Sequence, residues 1–264
     1  MKRSSITIGT NVTSIGEGAF EDCSSLTSIT IPNNVTSIGR EAFQSCALTS
    51  ITIPNSLTSF GNYAFCGCDS LTNVVMVNGL TTIGDGMFEV CSSLTSVTIP
   101  NSVTNIGAGA FNGCSSLTNI TIGSGVTSIA QNAFGSCTRL IGVYFQGNAP
   151  SVDWSLFGHD NNATIYYLPG TTGWDDFANN ARVLTVLWLP QVQTGATDFG
   201  VQTNQFGFNI IWASDQTVVV EACTDLANPV WTPVQTNILT GGSSYFSDPM
   251  WTNYPGRFYR LRSP

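Results

Sequence analysis

Six cysteines, Cys23, Cys46, Cys68, Cys91, Cys114 and Cys137, fall 22 or 23 residues apart along the chain. Thiols can ligate zinc, act as nucleophiles or pair in disulfides. The spacing argues against each. Zinc sites want clusters such as C-x2-C with histidine or further cysteines. Here Cys66 and Cys68 form the one close pair, and His159 is the sole histidine. No metal and no cofactor is expected. The equal spacing reads instead as a core ladder of buried free thiols running through stacked repeats, each behaving as a small apolar side chain. Neighbouring rungs near ~5 Å would lie within disulfide reach, but parallel side chains aimed into one core do not pair. Cys66 takes a position held elsewhere by Gln44, Glu89 or Asn112, which predicts an exposed, reactive thiol. Cys223 has no evident partner.

Other chemistry is equally thin. A Ser-His-Asp or Cys-His arrangement would have to use His159, which sits in a Gly158-His-Asp-Asn turn. The chain has no GxSxG elbow, P-loop, HExxH or EF-hand loop. Glycoside hydrolysis needs two facing carboxylates, and no spacing supplies them. Asp175-Asp176, read as strand residues pointing to opposite faces, and Glu21-Asp22 would hold calcium only weakly, and only where backbone carbonyls converge. Their plainer role is solvation. Asn11, Asn34, Asn119 and Asn162 sit in N-x-[ST] sequons that follow from Thr-rich turns. The catalytic residue set is therefore empty, and the chain reads as a non-enzyme.

The element that positions the thiols is a repeat. Residues 96–118 read SVTIPNSVTNIGAGAFNGCSSLT, and the same pattern fills 5–27, 28–49, 50–72, 73–95 and 119–141. The period is 23, and the second copy is one residue short. Alternation of Val97 and Ile99 suits a short strand with one buried face, ended by Pro100 and Asn101. Val103 and Ile106 turn inward. Ala110, Phe111, Cys114 and Leu117 follow a spacing that predicts one short helical or 3₁₀ turn on the opposite side. One such coil cannot close a core, whereas stacked coils can. Residues 142–188, with Trp154 and Phe157 in place of smaller side chains, read as a terminal coil and cap. Tyr144, Tyr166, Tyr167 and Trp174 would either cover its apolar end or line a groove there.

The consensus IxIPxxVTSIGxxAFxxCxxLT resembles the BspA-like class of leucine-rich repeats of bacterial surface proteins, over residues 5–187. The resemblance implies a curved right-handed solenoid and a role in adhesion or protein binding, with no catalytic residues to carry over. The expected fold is thus a mostly β solenoid over 1–188, followed by a linker at 189–197. Residues 198–264 lose the period and carry short strand-like runs at 205–212, 217–222, 231–236, 244–246 and 257–261. These suggest a small antiparallel β-sandwich. Its end, YPGRFYRLRSP, is similar to C-terminal segments of secreted multidomain bacterial proteins. It would place Arg257, Arg260 and Arg262 toward solvent, as a charged edge or a docking or sorting element.

Composition narrows the partners. Charged residues make up 9% and the net charge is -8. Nucleic acid and anionic membrane surfaces reward basic patches, so neither is an expected partner, and no apolar run is long enough for membrane insertion. A polar surface made of Ser, Thr and Asn fits an extracellular or cell-surface protein. Met1–Ser4 is too short for a signal peptide.

Two surfaces stand out. On the expected concave sheet, Ser28, Thr30, Ser50, Thr52, Asn73, Ser96, Thr98, Asn119 and Thr121 form neutral columns. They would bind a protein or a glycan, or serve only as exposed strand residues. At the first coil, Ser5, Ile6, Ile8, Ile15 and Phe20 would lie on an open end. That end could be a trimmed boundary, a surface stacking into a homo-oligomer or filament, or one covered by Met1–Ser4. The function read from sequence is a non-catalytic binding or adhesion scaffold, with end-to-end assembly as the alternative.

Overall fold

The computed structural model describes residues 4–57, 59–152, 154–158, 163–194, 199–202, 205–254 and 256–264. His159 and Asn162, singled out above, lie outside the described residues, as do 1–3. The chain divides into two units, Met1–Leu187 and Trp188–Pro264.

The first unit is a mostly β solenoid in which each coil carries one long and one short strand. These are β1 (Ser5–Thr7) and β2 (Ser14–Ile15), β3 (Ser28–Thr30) and β4 (Ser37–Ile38), and β5 (Ser50–Ile53) and β6 (Ser59–Phe60). Then follow β7 (Asn73–Met76) and β8 (Thr82–Ile83), β9 (Ser96–Ile99) and β10 (Asn105–Ile106), and β11 (Asn119–Ile122) and β12 (Ser128–Ile129). β13 (Gly142–Phe145), β14 (Thr164–Tyr167), helix α1 (Trp174–Ala181) and β15 (Leu184–Leu187) complete it. Neighbouring coils pair in parallel at the repeat spacing, Ser96 opposite Asn119 and Asn119 opposite Gly142. The coils approach so closely that a Cβ on Gly61 would lie 2.1 Å from the Arg40 nitrogen.

The ladders are interrupted. Long strands join as β1-β3, β5-β7 and β9-β11-β13-β14-β15, with no ladder between β3 and β5 or between β7 and β9. Short strands join as β2-β4-β6 and β8-β10-β12, broken between β6 and β8.

Between the short strand and the next long strand the expected helical turn does not form. The backbone instead enters the left-handed region two residues before and two residues after each repeat phenylalanine. Gly18, Glu41, Tyr63, Gly86, Gly109 and Asn132 take the first position, and Asp22, Ser45, Gly67, Val90, Gly113 and Ser136 the second. Those conformations keep a right-handed helical turn from forming. Amide groups then alternate in use. Ala110, Asn112 and Cys114 donate three residues back, while Gly109, Phe111 and Gly113 donate to Gln131, Ala133 and Gly135 of the next coil, at 2.8–3.0 Å. Coil stacking, not helix formation, satisfies half of this backbone. Val90 is the β-branched residue in this set, at φ 57° and 45% exposed. Val90→Gly is expected to stabilise the solenoid by about 0.5–1 kcal/mol, since relief of left-handed strain exceeds the entropy glycine adds to the unfolded chain. An unchanged or lower urea midpoint would contradict this.

The core is one column per repeat position. Phe20, Phe43, Phe65, Phe88, Phe111, Phe134 and Phe157 stack at 5.2–5.9 Å between ring centroids. Phe157 thus extends the column, but Trp154 is exposed and caps nothing. The cap is α1. Its Trp174, Phe177 and Ala181 are buried, and Trp174 packs on Phe145 at 5.0 Å and stacks on Tyr167 at 4.9 Å. Asp175 and Asp176 fall in the first turn of this helix rather than on a strand, where carboxylates suit the N-terminal dipole.

In the second unit, β16 (Gln191–Gln193), β17 (Gly200–Gln202), β18 (Gln205–Ile211) and β21 (Ser243–Asp248) form one antiparallel sheet. β19 (Thr217–Cys223), β20 (Thr232–Ile238) and β22 (Phe258–Arg262) form the other. Tyr259 of β22 meets Phe206 and Phe246 of the facing sheet at 5.1 and 5.5 Å, which makes this a sandwich. The stretch read as a linker contributes β16, paired with β18.

The arginines do not simply face solvent. Arg257 is largely buried, 2.8 Å from the buried Asp248 and 4.1 Å above the Tyr254 ring. Arg260 and Arg262 bind the buried Glu221 at 2.7 and 3.1 Å, and Arg260 also lies over Trp231. The hydrogen bond from Arg260, then that from Arg262, holds the Glu221 carboxyl below its usual range.

Candidate functional site

On the long strands, inward Ile and Val side chains alternate with outward Ser, Thr and Asn, because successive strand residues point to opposite faces. Ser28, Thr30, Ser50, Thr52, Asn73, Ser96, Thr98 and Asn119 are exposed, and Thr121 is half-buried. The pairing sets Ser96 beside Asn119 and Thr98 beside Thr121, while Ser50 lies beside Asn73 in a separate ladder. The nine positions share one face but not one sheet.

Four of them gather. Where β3 and β5 fail to pair, the face opens into a depression of about 580 Å³. Ser28, Thr30, Ser50 and Thr52 stand along it, with Asn33 and Asn55 at one end and Val77 from the following coil. Ile29, Ile31 and Pro54 are buried beneath. Asn33, Asn55 and Val77 escape a reading based on strand columns, since the two asparagines lie in turns and Val77 just past β7. The available signal is the missing residue between Cys46 and Leu48. It follows β3 and shortens the step to β5 from 23 to 22.

A second set of threonine hydroxyls, flanking the strands, is already used. Thr27, Thr49, Thr72 and Thr118 donate to the carbonyls of Ser4, Thr27, Thr49 and Thr95 one coil back, at 3.0–3.4 Å. Thr104 and Thr127 do the same to Thr81 and Thr104. Asn101, the counterpart of Asn55 two coils on, accepts the Ser124 amide at 2.8 Å.

At the other end of the face, Tyr144 and Tyr166 continue the Thr98–Thr121 column and stack at 4.8 Å. The Tyr144 ring lies over Gly142, whose missing Cβ would come within 2.7 Å of it. These two rings are on the sheet, while Tyr167 and Trp174 belong to the cap.

At the first coil, β1 and β2 have a strand neighbour on one side among the described residues. Ile15 is buried, against the expectation of exposure, while Ile6, Ile8 and Phe20 are partly covered and Ser5 is exposed.

The cysteines are free thiols, half-buried at Cys23 and Cys66 and buried at the rest. They do more than fill space. Cys46, Cys68, Cys91, Cys114 and Cys137 donate to the carbonyls of Phe20, Phe43, Phe65, Phe88 and Phe111 of the preceding coil, at 3.1–3.3 Å. Burial pushes the thiols of Cys46, Cys68 and Cys137 up to about 12. Cys66, expected reactive, is pushed up to about 11 by burial and by Glu89, Glu41 and Asp69, which suppresses its thiolate. The folded state holds these protons more tightly than the unfolded chain. The resulting stability is fully present below the ordinary thiol value of about 8.5 and is lost as the pH rises toward the folded values. The melting temperature is therefore expected to fall steeply between about pH 9 and 11. Ladder thiols should resist Ellman's reagent at neutral pH, and rapid native-state labelling would refute the assignment.

Among the described residues, no group of three or more His, Cys, Asp and Glu side chains is placed to hold a metal ion. No helix described is long and apolar enough to cross a membrane.

Comparison with known proteins places these features. A family model described as BspA type leucine-rich repeat region matches six copies over residues 2–104 and 59–180. A leucine-rich repeat protein of T. pallidum superposes with a TM-score of 0.53 at 29% identity, covering 64% of this chain and 76% of that one. One from Eubacterium ventriosum gives a TM-score of 0.54 at 24% identity, covering 61% of this chain and 43% of that one, so the present chain spans less than half its length. No curated protein matches the sequence.

Proposed function

The chain belongs to the BspA-type leucine-rich repeat family, and from that premise we propose that it is a non-catalytic recognition scaffold, outside the cell or on its surface, binding a protein or glycan through its long-strand face. The observation that carries the reading is the division of labour among hydroxyls. Thr27, Thr49, Thr72 and Thr118 hold coils together, while Ser28, Thr30, Ser50, Thr52 and Thr98 stand outward with no hydrogen bond among the described residues. A solenoid needs the first set to fold; the second is free to meet a ligand.

The test is binding to arrays of glycans and extracellular proteins. A triple variant, Thr52→Arg, Thr98→Arg and Thr121→Arg, is expected to weaken capture at least tenfold, about 1.4 kcal/mol. Ser116→Arg, on the turn side, should leave capture intact. Equal losses in both variants, or no capture by the unaltered protein, would remove the reading.

Among the described residues β1 and β2 pair on one side, and Ile6, Ile8 and Phe20 are partly covered; these support a second reading of end-to-end self-association. Scattering mass that grows with concentration supports it, and a constant monomer mass ends it.

A further inference from the structure

We infer that the depression between β3 and β5 is a binding site for an uncharged oligosaccharide. This rests on the reading of the long-strand face as the recognition surface and assigns that surface a ligand class.

Three observations converge on it. The first is its setting. β3 and β5 form no ladder, although the coils are tied at both flanks. Thr49 still donates to the Thr27 carbonyl just before the gap, and β4 pairs with β6 after it. The opening is thus a local feature held by rigid neighbours. Its volume of about 580 Å³ falls within the roughly 300–1,000 Å³ of small-ligand sites.

The second is the chemistry of the banks. β3 supplies Ser28 and Thr30 and β5 supplies Ser50 and Thr52, two hydroxyls from each strand. A hydroxyl both donates and accepts, as do the hydroxyls of a sugar. The amides of Asn33 and Asn55 add donors and acceptors at one end. Among the described residues none of these side chains has a hydrogen-bond partner, whereas the equivalent Asn101 is bound to the next coil. Buried Ile29, Ile31 and Pro54 offer apolar contact beneath, suited to the C–H faces of a pyranose ring.

The third is charge. Among the described residues no Asp, Glu, Lys or Arg lines the depression. A sulfated or carboxylated glycan would find no cation there and would meet a chain of net charge -8. A cationic ligand would find no carboxylate. The lining selects for neutrality.

The experiment is calorimetric titration of the full chain with neutral gluco-, manno-, galacto-, xylo- and N-acetylglucosamine oligosaccharides of two to six units, with heparin and polygalacturonate as charged comparators. At least one neutral member is expected to bind, and the charged polymers are not. Thr30→Val with Thr52→Val keeps shape and strand preference while removing two hydroxyls, and should weaken binding at least tenfold. Thr98→Val with Thr121→Val, on the paired part of the face, should leave it unchanged. Binding by the charged polymers alone, or affinity insensitive to Thr30→Val with Thr52→Val, overturns the site. If the protein captures an extracellular protein through Thr98 and Thr121 but no saccharide, the depression fails and the wider face stands. If nothing is captured, both fall.

Discussion

Phe88→Ala is expected to cost about 3–5 kcal/mol, the range for deleting a fully buried phenylalanine ring. Phe88 has no exposed surface and lies between Phe65 and Phe111, each at 5.5 Å and nearly parallel. Its removal deletes two ring contacts, each worth about 0.5–1.5 kcal/mol beyond area burial. The void cannot collapse along the stack, because Phe88 and its neighbours are fixed by backbone hydrogen bonds, such as those donated by the Phe88 amide to the Ala110 carbonyl and by the Phe65 amide to the Met87 carbonyl. Phe20→Ala serves as the internal comparison. That ring is partly covered and has one partner in the column, Phe43 at 5.2 Å. Urea unfolding followed by far-ultraviolet dichroism should show a much lower midpoint for Phe88→Ala than for Phe20→Ala. Equal midpoints would mean that the column is not a continuous load-sharing core.

Asp248→Asn is expected to be nearly as damaging, by about 3–5 kcal/mol, and confined to the sandwich. Asp248 is 6% exposed and holds three groups: the Arg257 guanidinium at 2.8 Å, the Tyr259 hydroxyl at 2.8 Å and the Met250 amide at 2.8 Å. Asparagine keeps the shape and the amide contact but removes the charge, so the largely buried Arg257 is left without its counterion. The change should appear in the exchange of amides from Phe258 to Arg262 and in Trp212 fluorescence, with the solenoid transition unmoved. Retention of full protection in β22 would show that the Tyr254 ring alone suffices to hold Arg257.

Much of the solenoid was legible because its core positions repeat in type. Val103, Ile106, Ala110, Phe111, Cys114 and Leu117, read as inward, are all buried. What was not legible lay at positions whose residue types vary. The two left-handed positions of each coil hold Gly, Glu, Tyr, Asn, Asp, Ser and Val, so no single residue type marks them, and a spacing of three to four reads as a helix. Coil-to-coil amide bonds override that local pattern. The candidate face was legible as columns, since strand alternation dictates them. Its gathering at Ser28, Thr30, Ser50 and Thr52 was not, because it arises from a ladder that fails, and pairing is a property of two segments rather than one. In the sandwich, strands at 205–211 and 217–223 followed the hydrophobic runs, whereas the burial of Glu221 depends on arginines some forty residues away at Arg260 and Arg262.

The interruptions in the two sheets never fall at the same coil boundary. The second and third coils part on the long-strand side but are joined by β4 and β6; the third and fourth part on the short-strand side but are joined by β5 and β7; the fourth and fifth part again on the long side, bridged by β8 and β10. Masonry is laid this way, with each joint spanned by the course beside it. Tension along the axis therefore meets no boundary at which both ladders are missing.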